Sequence, residues 1–362
     1  MLEISILEII SIITAFQLLM LGIVLLSKKS IKRESIRILS LFMFSNFLLM
    51  VSFIIYLFNI YDLTSIPVFY YLLGPLMYLY VLSMCTKNFI WQNKYWIHGL
   101  LFIIMVLIVI IKIVFFGDES NNSWQYFERI IAQGILHVQI ACYIIASFII
   151  INKYRIEIKN HYAAIEKINL SWLMFIIIAF ATMWGTDFIA FVISISLEDA
   201  RSMGYYLVTI SITINLLFAN YLVYRGLRQP DAFSGIMAPA KYSGSKITED
   251  ESMKKADQLV HLMQNKKLYL NPNLTIKDLS EETNIHYKFL SQIINSRFGQ
   301  NFYDFVNQYR IDEAKEIMKR NTDDKKTILE ILYEVGFNSK SAFNNAFKKN
   351  TGQTPSEFKK TA

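Results

Sequence analysis

At 362 residues the chain is long enough for two domains, but 54% hydrophobic residues and a mean hydropathy of +0.35 exclude an ordinary soluble protein and call for a lipid solvent. The net charge of +7, about +4 of it from Lys241 onward, permits nucleic-acid binding without requiring it. The two cysteines, Cys85 and Cys142, lie in apolar runs without C-x-x-C or Cys/His spacing, which argues against a disulfide framework or a zinc site.

Apolar runs such as Leu100 to Phe116 and Trp172 to Phe180 all precede residue 226, and beyond it Lys, Asp, Glu and Asn break up the apolar residues. The expected organisation is a transmembrane domain over 1–225, a linker over 226–247 and a cytoplasmic domain over 248–362. Crossing roughly 30 Å of hydrocarbon takes about 20 helical residues. Seven segments qualify: 4–26, 36–58, 66–86, 96–116, 128–151, 170–194 and 204–224. The third, with Pro67 and Gly74-Pro75, and the fifth, with Glu128, Arg129, Gln133, His137 and Gln139, are the least regular. Glu3 and Glu8 stand where a secretion signal would carry Lys or Arg, so the first segment is expected to stay attached as a span.

Loop charge sets the orientation, because Lys and Arg accumulate on the cytoplasmic side. Lys28, Lys29, Lys32 and Arg33, then Lys87 and Lys94, then Lys153, Arg155, Lys159 and Lys167 follow the odd spans. Asp62, then Asp118 and Glu119, then Glu198, Asp199 and Arg201 follow the even ones. The N-terminus is therefore expected outside and the C-terminal domain in the cytoplasm.

Trp91, Trp96, Trp124 and Trp172 fall near span ends, where amphipathic rings anchor at the headgroups. Trp184 instead lies mid-span, one turn before Asp187, and an ionisable group in hydrocarbon needs a protein interior or water. Asp187 is the leading candidate for sensing a signal, with Trp184, His137 and Gln133. The plainer alternative is a carboxylate hydrated near the outer end of its span or bonded to another helix. Gln133, His137 and Gln139, with Asn215, either line the same cavity or bond between helices.

Between Arg225 and Ile247 the chain is rich in Pro, Gly and Ser without periodicity and reads as a tether. A helix is expected from Thr248, with Glu251 completing a capping box and Met253, Ala256, Leu259, Val260 and Met263 forming one buried face. The segment Gly299–Phe305 then aligns with Gly352–Phe358 at an offset of 53 residues, and the same offset pairs Leu279 with Leu332, Leu290 with Phe343 and Ile294 with Phe347. One unit is used twice. Each copy reads as helix, turn, helix, Gly: Thr275 caps the first helix, Asn284 takes the turn and a second helix runs from about His286 to Phe298. In the second copy, a helix from Thr327 ends at Gly336, Ser339 caps the next, and Thr354, Pro355 and Glu357 open a closing helix. Such pairs form helix-turn-helix units whose second helix can enter a major groove.

With Phe343 and Phe347 turned inward, Lys340, Ser341, Asn344, Asn345 and Lys348 share the outer face, beside the cap Ser339 and the far-end Lys349. Lys288, Ser291, Gln292 and Asn295 occupy the equivalent face of the first copy. All can bond to bases or phosphates and none is acidic. A merely solvated helix face is the alternative for either helix alone; the repeat, the caps and the missing acids favour DNA.

Residues 250–360 resemble the DNA-binding domain of the AraC/XylS family of bacterial transcription regulators. The resemblance is carried by Leu279, Phe289–Asn295, Asn307–Ala314, Val335–Ser339, Phe343, Phe347-Lys348-Lys349, Gly352 and Thr354-Pro355. It implies two recognition helices, set on one side of the duplex by a helix from about Phe302 to Lys319 and reading successive major grooves. His286 stands where the family usually has a Ser cap, so the first recognition helix is expected to start late. Leu329 to Tyr333 replaces a common Ile-Ala, which suggests looser packing in the second unit. Fusion to a multispan half resembles membrane-bound members of the family.

The reading is an all-α protein, a seven-helix transmembrane bundle followed by an AraC-type domain with two helix-turn-helix units. As a one-component sensor and regulator in the bacterial cytoplasmic membrane, its partners are the lipid bilayer, double-stranded promoter DNA, an unidentified signal and a second copy forming a homodimer. No cofactor or metal is expected. The alternatives are a transporter or membrane enzyme with a regulatory DNA-binding tail, or a C-terminal domain that binds protein. An enzyme is disfavoured by the lack of a Ser/His/Asp order, a phosphate-cradling loop or a metal cluster, and a transporter by sparse intramembrane charge and no repeat among the spans.

Overall fold

The computed structural model describes residues 6–27, 33–58, 68–86, 89–116, 124, 126–166, 168, 170–196, 201–228, 249–320 and 326–361. The expectations placed on Glu3, Lys28, Lys29, Lys32, Asp62, Pro67, Lys87, Asp118, Glu119, Lys167, Glu198, Asp199, Thr248 and most of the linker lie outside these residues. The described residues divide into two units: Met1–Asn152 with Ser171–Met237, and Lys153–Leu170 with Ala238–Ala362. Both are helical, and one isolated antiparallel bridge, Tyr162 with Thr275, is the extended pairing among the described residues.

The first unit contains α1 (Ile6–Ser27), α2 (Arg33–Leu57), α3 (Tyr70–Cys85), α4 (Leu100–Phe116), α5 (Gln133–Lys159), α6 (Ser171–Ser196) and α7 (Arg201–Arg228). A 3-10 stretch, Asn93–Gly99, leads into α4, and a π-helical turn, Phe127–Ala132, leads into α5, whose last turns fall in the second unit. Among the described residues, five stretches are long and apolar enough to cross a membrane: Ile6–Ser27, Arg33–Leu57, Asn93–Phe115, Ile130–Lys159 and Ser171–Ser196. At the third expected span the apolar helix, Tyr70–Cys85, is shorter, and at the seventh α7 runs over Arg201–Arg228 with Tyr206–Tyr221 as an apolar stretch within it. Sixteen residues in α3 rise about 24 Å, less than the hydrocarbon thickness.

Close helix contact in this unit depends on small residues. A Cβ at Gly22 would lie 3.1 Å from the Phe44 ring, and Ser40 Oγ donates to the Gly22 carbonyl at 2.8 Å, so α1 and α2 touch backbone to side chain. Asn46 and Asn215 exchange amide hydrogen bonds at 3.4 and 3.1 Å, joining α2 to α7. Lys112 and Glu128 form a buried ion pair at 2.6 Å between α4 and the π-helical turn, so each charge has a partner out of water. Leu107, Ile111 and Phe115 on α4, and Val138, Ile145 and Ile149 on α5, remain exposed, a face suited to lipid.

The second unit contains α8 (Glu249–Lys266), α9 (Ile276–Thr283), α10 (Tyr287–Phe298), α11 (Phe302–Arg320), α12 (Ile328–Glu334), α13 (Lys340–Thr351) and α14 (Pro355–Thr361). Two apolar cores lie within it. Leu279, Leu290, Ile294, Phe302 and Phe305 fill the first, and Ile331, Leu332, Phe343 and Phe347 the second. The apolar helix pairs at the 53-residue offset, Leu279 with Leu332, Leu290 with Phe343 and Ile294 with Phe347, are thus buried in both copies. Leu329 and Tyr333 face solvent while Ile331 and Leu332 are fully buried, so the departure from the family pattern falls on the outer side of α12 and does not loosen the core.

Candidate nucleic-acid interface

In the first copy, Thr275 and Asp278 complete a capping box, with Asp278 N–H donating to Thr275 Oγ1 at 3.3 Å and Thr275 N–H to Asp278 Oδ2 at 2.8 Å. Asn284 takes the left-handed turn at φ +53, and Gly299 ends α10 at φ +63. His286 is the N-cap of α10, but its Nδ1 accepts from Lys288 N–H at a long 3.4 Å, whereas Ser339 Oγ receives Ala342 N–H at 3.1 Å on α13. The imidazole is the weaker cap, and α10 begins at Tyr287.

Burial of Leu290, Ile293 and Ile294 turns Gln292 and Asn295 to solvent, with Lys288 and Ser291 half-buried beside them. Asn295 Nδ2 is engaged with the Ser291 carbonyl at 2.7 Å, which leaves Gln292 as the free amide on this face. On α13, Lys340, Ser341, Asn345 and Lys348 are exposed and Asn344 half-buried. Neither α10 nor α13 carries an acidic residue. Lys340 and Lys348 form no ion pair among the described residues, but Lys349 Nζ lies 2.8 Å from Asp304 Oδ1 on α11. The face therefore holds Lys340 and Lys348 outside any ion pair among the described residues, Lys348 acting at longer range on Glu357, and Lys349 engaged with a carboxylate.

Residues 279–361 match the family model described as a helix-turn-helix domain. Residues 279–361 are a helix-turn-helix domain of the AraC type. The chain is similar to an uncharacterized HTH-type transcriptional regulator from the cgkA 5′ region of Pseudoalteromonas carrageenovora, 29% identical over 32% of this chain and 74% of that one. It is also similar to the uncharacterized transcriptional regulatory protein YesN of Bacillus subtilis, 33% identical over 25% of this chain and 24% of that one. The chain thus spans about a quarter of the length of this second relative. Among solved structures, the C-terminal domain of AraT, a response regulator from Geobacillus stearothermophilus, matches 33% of this chain and 89% of its own at 23% identity and a TM-score of 0.26. The chain therefore carries a DNA-binding domain of the kind found in HTH-type transcription regulators.

The two copies of the AraC-type domain meet around Arg310 of α11, which is 1% exposed. Its Nε donates to the Tyr269 carbonyl at 2.7 Å, Nη2 to the Asn271 carbonyl at 2.8 Å and Nη1 to Asn307 Oδ1 at 3.4 Å. Burial pulls its pKa down to about 10, opposed by the nearby Glu166 and Tyr303. The guanidinium lies 5.4 Å from the centre of the Phe337 ring in the second copy. Gly336, at φ +89, lets the second turn approach the same segment: a Cβ there would come 2.6 Å from the Leu270 carbonyl oxygen. Residues 269–271 are thus gripped from both copies. In the sequence Arg310 stands out only within a family motif, and nothing in its spacing marks a buried cation.

The sensing candidates separate in the first unit. Asp187 and Trp184 line a cavity of 380 Å³ between α2, α3, α6 and α7, together with Asn46, Tyr70, Ser211 and Asn215. Asp187 accepts hydrogen bonds from Tyr70 and Ser211. His137 does not line that cavity; its ring packs against Trp184, Phe188 and Phe191 at centroid distances of 6.5, 5.4 and 4.9 Å. Gln133, half-buried next to the π-helical turn, is also outside it, and Gln139 Nε2 donates to the Tyr71 carbonyl at 3.3 Å. Asn215 reaches the cavity, whereas on α5 Gln139 bonds to the Tyr71 carbonyl and His137 makes ring contacts. Tyr70, Asn46 and Ser211 carry no sequence signal of their own, since single hydroxyls and amides in apolar spans have no periodicity.

Proposed function

We propose that the chain is a membrane-bound, one-component transcription regulator that senses a signal through its transmembrane half and binds promoter DNA through both helix-turn-helix units. The observation that carries this reading is a pair of acid-free recognition faces in the same chain as five long apolar helices. Counting α3 and α7 with those five gives seven spans, an outside N-terminus and a cytoplasmic AraC-type domain, in keeping with the basic odd-numbered loops.

On the DNA, Gln292 and Asn344 read base edges, where a side-chain amide pairs with adenine. Lys288, Ser291, Asn295, Ser339, Lys340, Ser341, Asn345, Lys348 and Lys349 contact the backbone or flanking bases, Lys349 after leaving Asp304. In the membrane, Asp187 and Trp184 form the sensing site from within the cavity. His137 acts through its contact with the Trp184 ring, and Gln133 lies one turn before it on the same helix. A second copy of the chain completes the operator-bound form.

Sequencing the DNA that crosslinks to the full-length chain in membranes of its native cell tests the reading. Enrichment of discrete promoter sites supports it. Uniform genomic background, with the chain in the membrane fraction, would leave the AraC-type domain without a DNA role.

A further inference from the structure

We infer that the loop between α5 and α6 is a built-in docking partner of the AraC-type domain and delivers movement of the membrane helices to the first recognition helix. The consequence for signalling rests on the function proposed above; the docking does not. Tyr162 pairs antiparallel with Thr275. Ala163 N–H donates to the Leu274 carbonyl at 3.1 Å, and Ile276 N–H donates to the His161 carbonyl at 3.0 Å. Ile276 is the first residue of α9, and a first-turn amide has no acceptor within its own helix. The loop supplies that acceptor, so His161 acts as a second cap beside Thr275.

The loop also enters the core and reaches both later helices. Ala163 is 1% exposed within the first core, and its carbonyl accepts Arg310 Nη1 at 3.4 Å. The His161 ring packs 6.1 Å from the ring of Tyr287, the first residue of α10. Only Asn160 lies between His161 and the end of α5 at Lys159, and Nε2 of His161 is 3.3 Å from Glu157 Oε1 on that helix. One intervening residue gives almost no slack, about 3.5 Å of reach. A shift at the end of α5 is therefore passed to the cap of α9, the start of α10 and the Arg310 junction with the second copy.

The test uses the full chain in membranes, with Cys85→Ala and Cys142→Ala as background. Tyr162→Cys with Thr275→Cys places two thiols on a non-hydrogen-bonded antiparallel pair, where Cα atoms lie about 4.5 Å apart, inside disulfide range. Mild oxidation is expected to link the two introduced thiols, read by mass spectrometry of the joined peptides. Separately, Ala163→Pro deletes the N–H donor, whereas Ala163→Gly keeps it. In footprints on a promoter fragment, Ala163→Pro should raise the concentration for half-protection of the α10 half-site at least tenfold and leave the α13 half-site within twofold. Ala163→Gly and the oxidised pair should keep the parent footprint. Failure of the thiols to link overturns the docking, whatever happens on DNA. Linked thiols with both half-sites unchanged by Ala163→Pro overturn the transmission role. Absence of any footprint from the parent chain would instead refute the DNA reading, with the thiol pair still deciding the docking.

Discussion

Asn344 and Lys348 sit one turn apart on α13 and should fail in different ways when replaced. Asn344 is half-buried on a helix whose inward side is fixed by Phe343 and Phe347, and under the proposed function its amide meets a base edge. Asn344→Ala should cost about 1 to 3 kcal/mol on the target site and little on random DNA. Lys348 is exposed, and under the proposed function it contacts the DNA backbone. Lys348→Ala should weaken both kinds of DNA and flatten the log-log salt slope by about one unit. Salt titrations on target and random duplexes check both, and equal losses for Asn344→Ala would mean that α13 positions the domain without reading sequence. Asp187→Asn keeps the shape of the cavity wall but replaces the carboxyl that Tyr70 and Ser211 bond to with an amide. It should shift the dose response of a target-promoter reporter to the natural stimulus while membrane insertion is unaltered; an unchanged curve would return Asp187 to a structural hydrogen bond.

At the scale of elements, the helix caps were legible because they depend on side chains at fixed spacing. Thr327 with Glu330 and Thr354 with Glu357 close as the sequence spacing implies, with Thr327 N–H donating to Glu330 Oε2 and Thr354 N–H to Glu357 Oε2, both at 2.7 Å. These backbone bonds, then those to the threonine hydroxyls, hold both carboxyls below the usual Glu range. A depressed carboxyl pKa adds stability that is complete above the unfolded value and lost as pH falls through the folded one. The melting temperature of the C-terminal unit in the full chain should therefore fall on acidification below about pH 4.5, and Glu330→Gln with Glu357→Gln should flatten that decline. Thermal melts across an acid series decide it; parallel curves for parent and variant would rule out the caps as the titrating groups. The His161–Ala163 loop was illegible for the opposite reason. Its hydrogen bonds are made by backbone atoms, which every residue has, and the surrounding Lys153, Arg155 and Lys159 read only as a basic connection between spans.

Across the whole molecule, the division into an apolar and a polar half followed from hydropathy, while the number of spans did not. Hydropathy marks α3 as apolar, yet the chain becomes helical only at Tyr70 and the helix ends at Cys85, which trims an expected span of ordinary length. A reporter enzyme active only outside the cytoplasm should be active when fused after Gly117 and silent when fused after Lys159. The reverse pattern would put the DNA-binding unit on the wrong side of the membrane. The contact between Arg310 and Ala163 joins residues 147 positions apart. At about 5 to 20 residues per second, Ala163 leaves the ribosome roughly 7 to 30 s before Arg310. Until Leu274 to Ile276 are made the loop lacks its partners in the DNA-binding unit, and α6 and α7 are made before the first residue of α9 exists. If the chain spans a membrane as proposed, the core of the DNA-binding unit is closed by a segment that must be kept available during insertion, and a chain that mishandles its last spans would be left with an unfinished reader, competent on a promoter only after assembly in the bilayer.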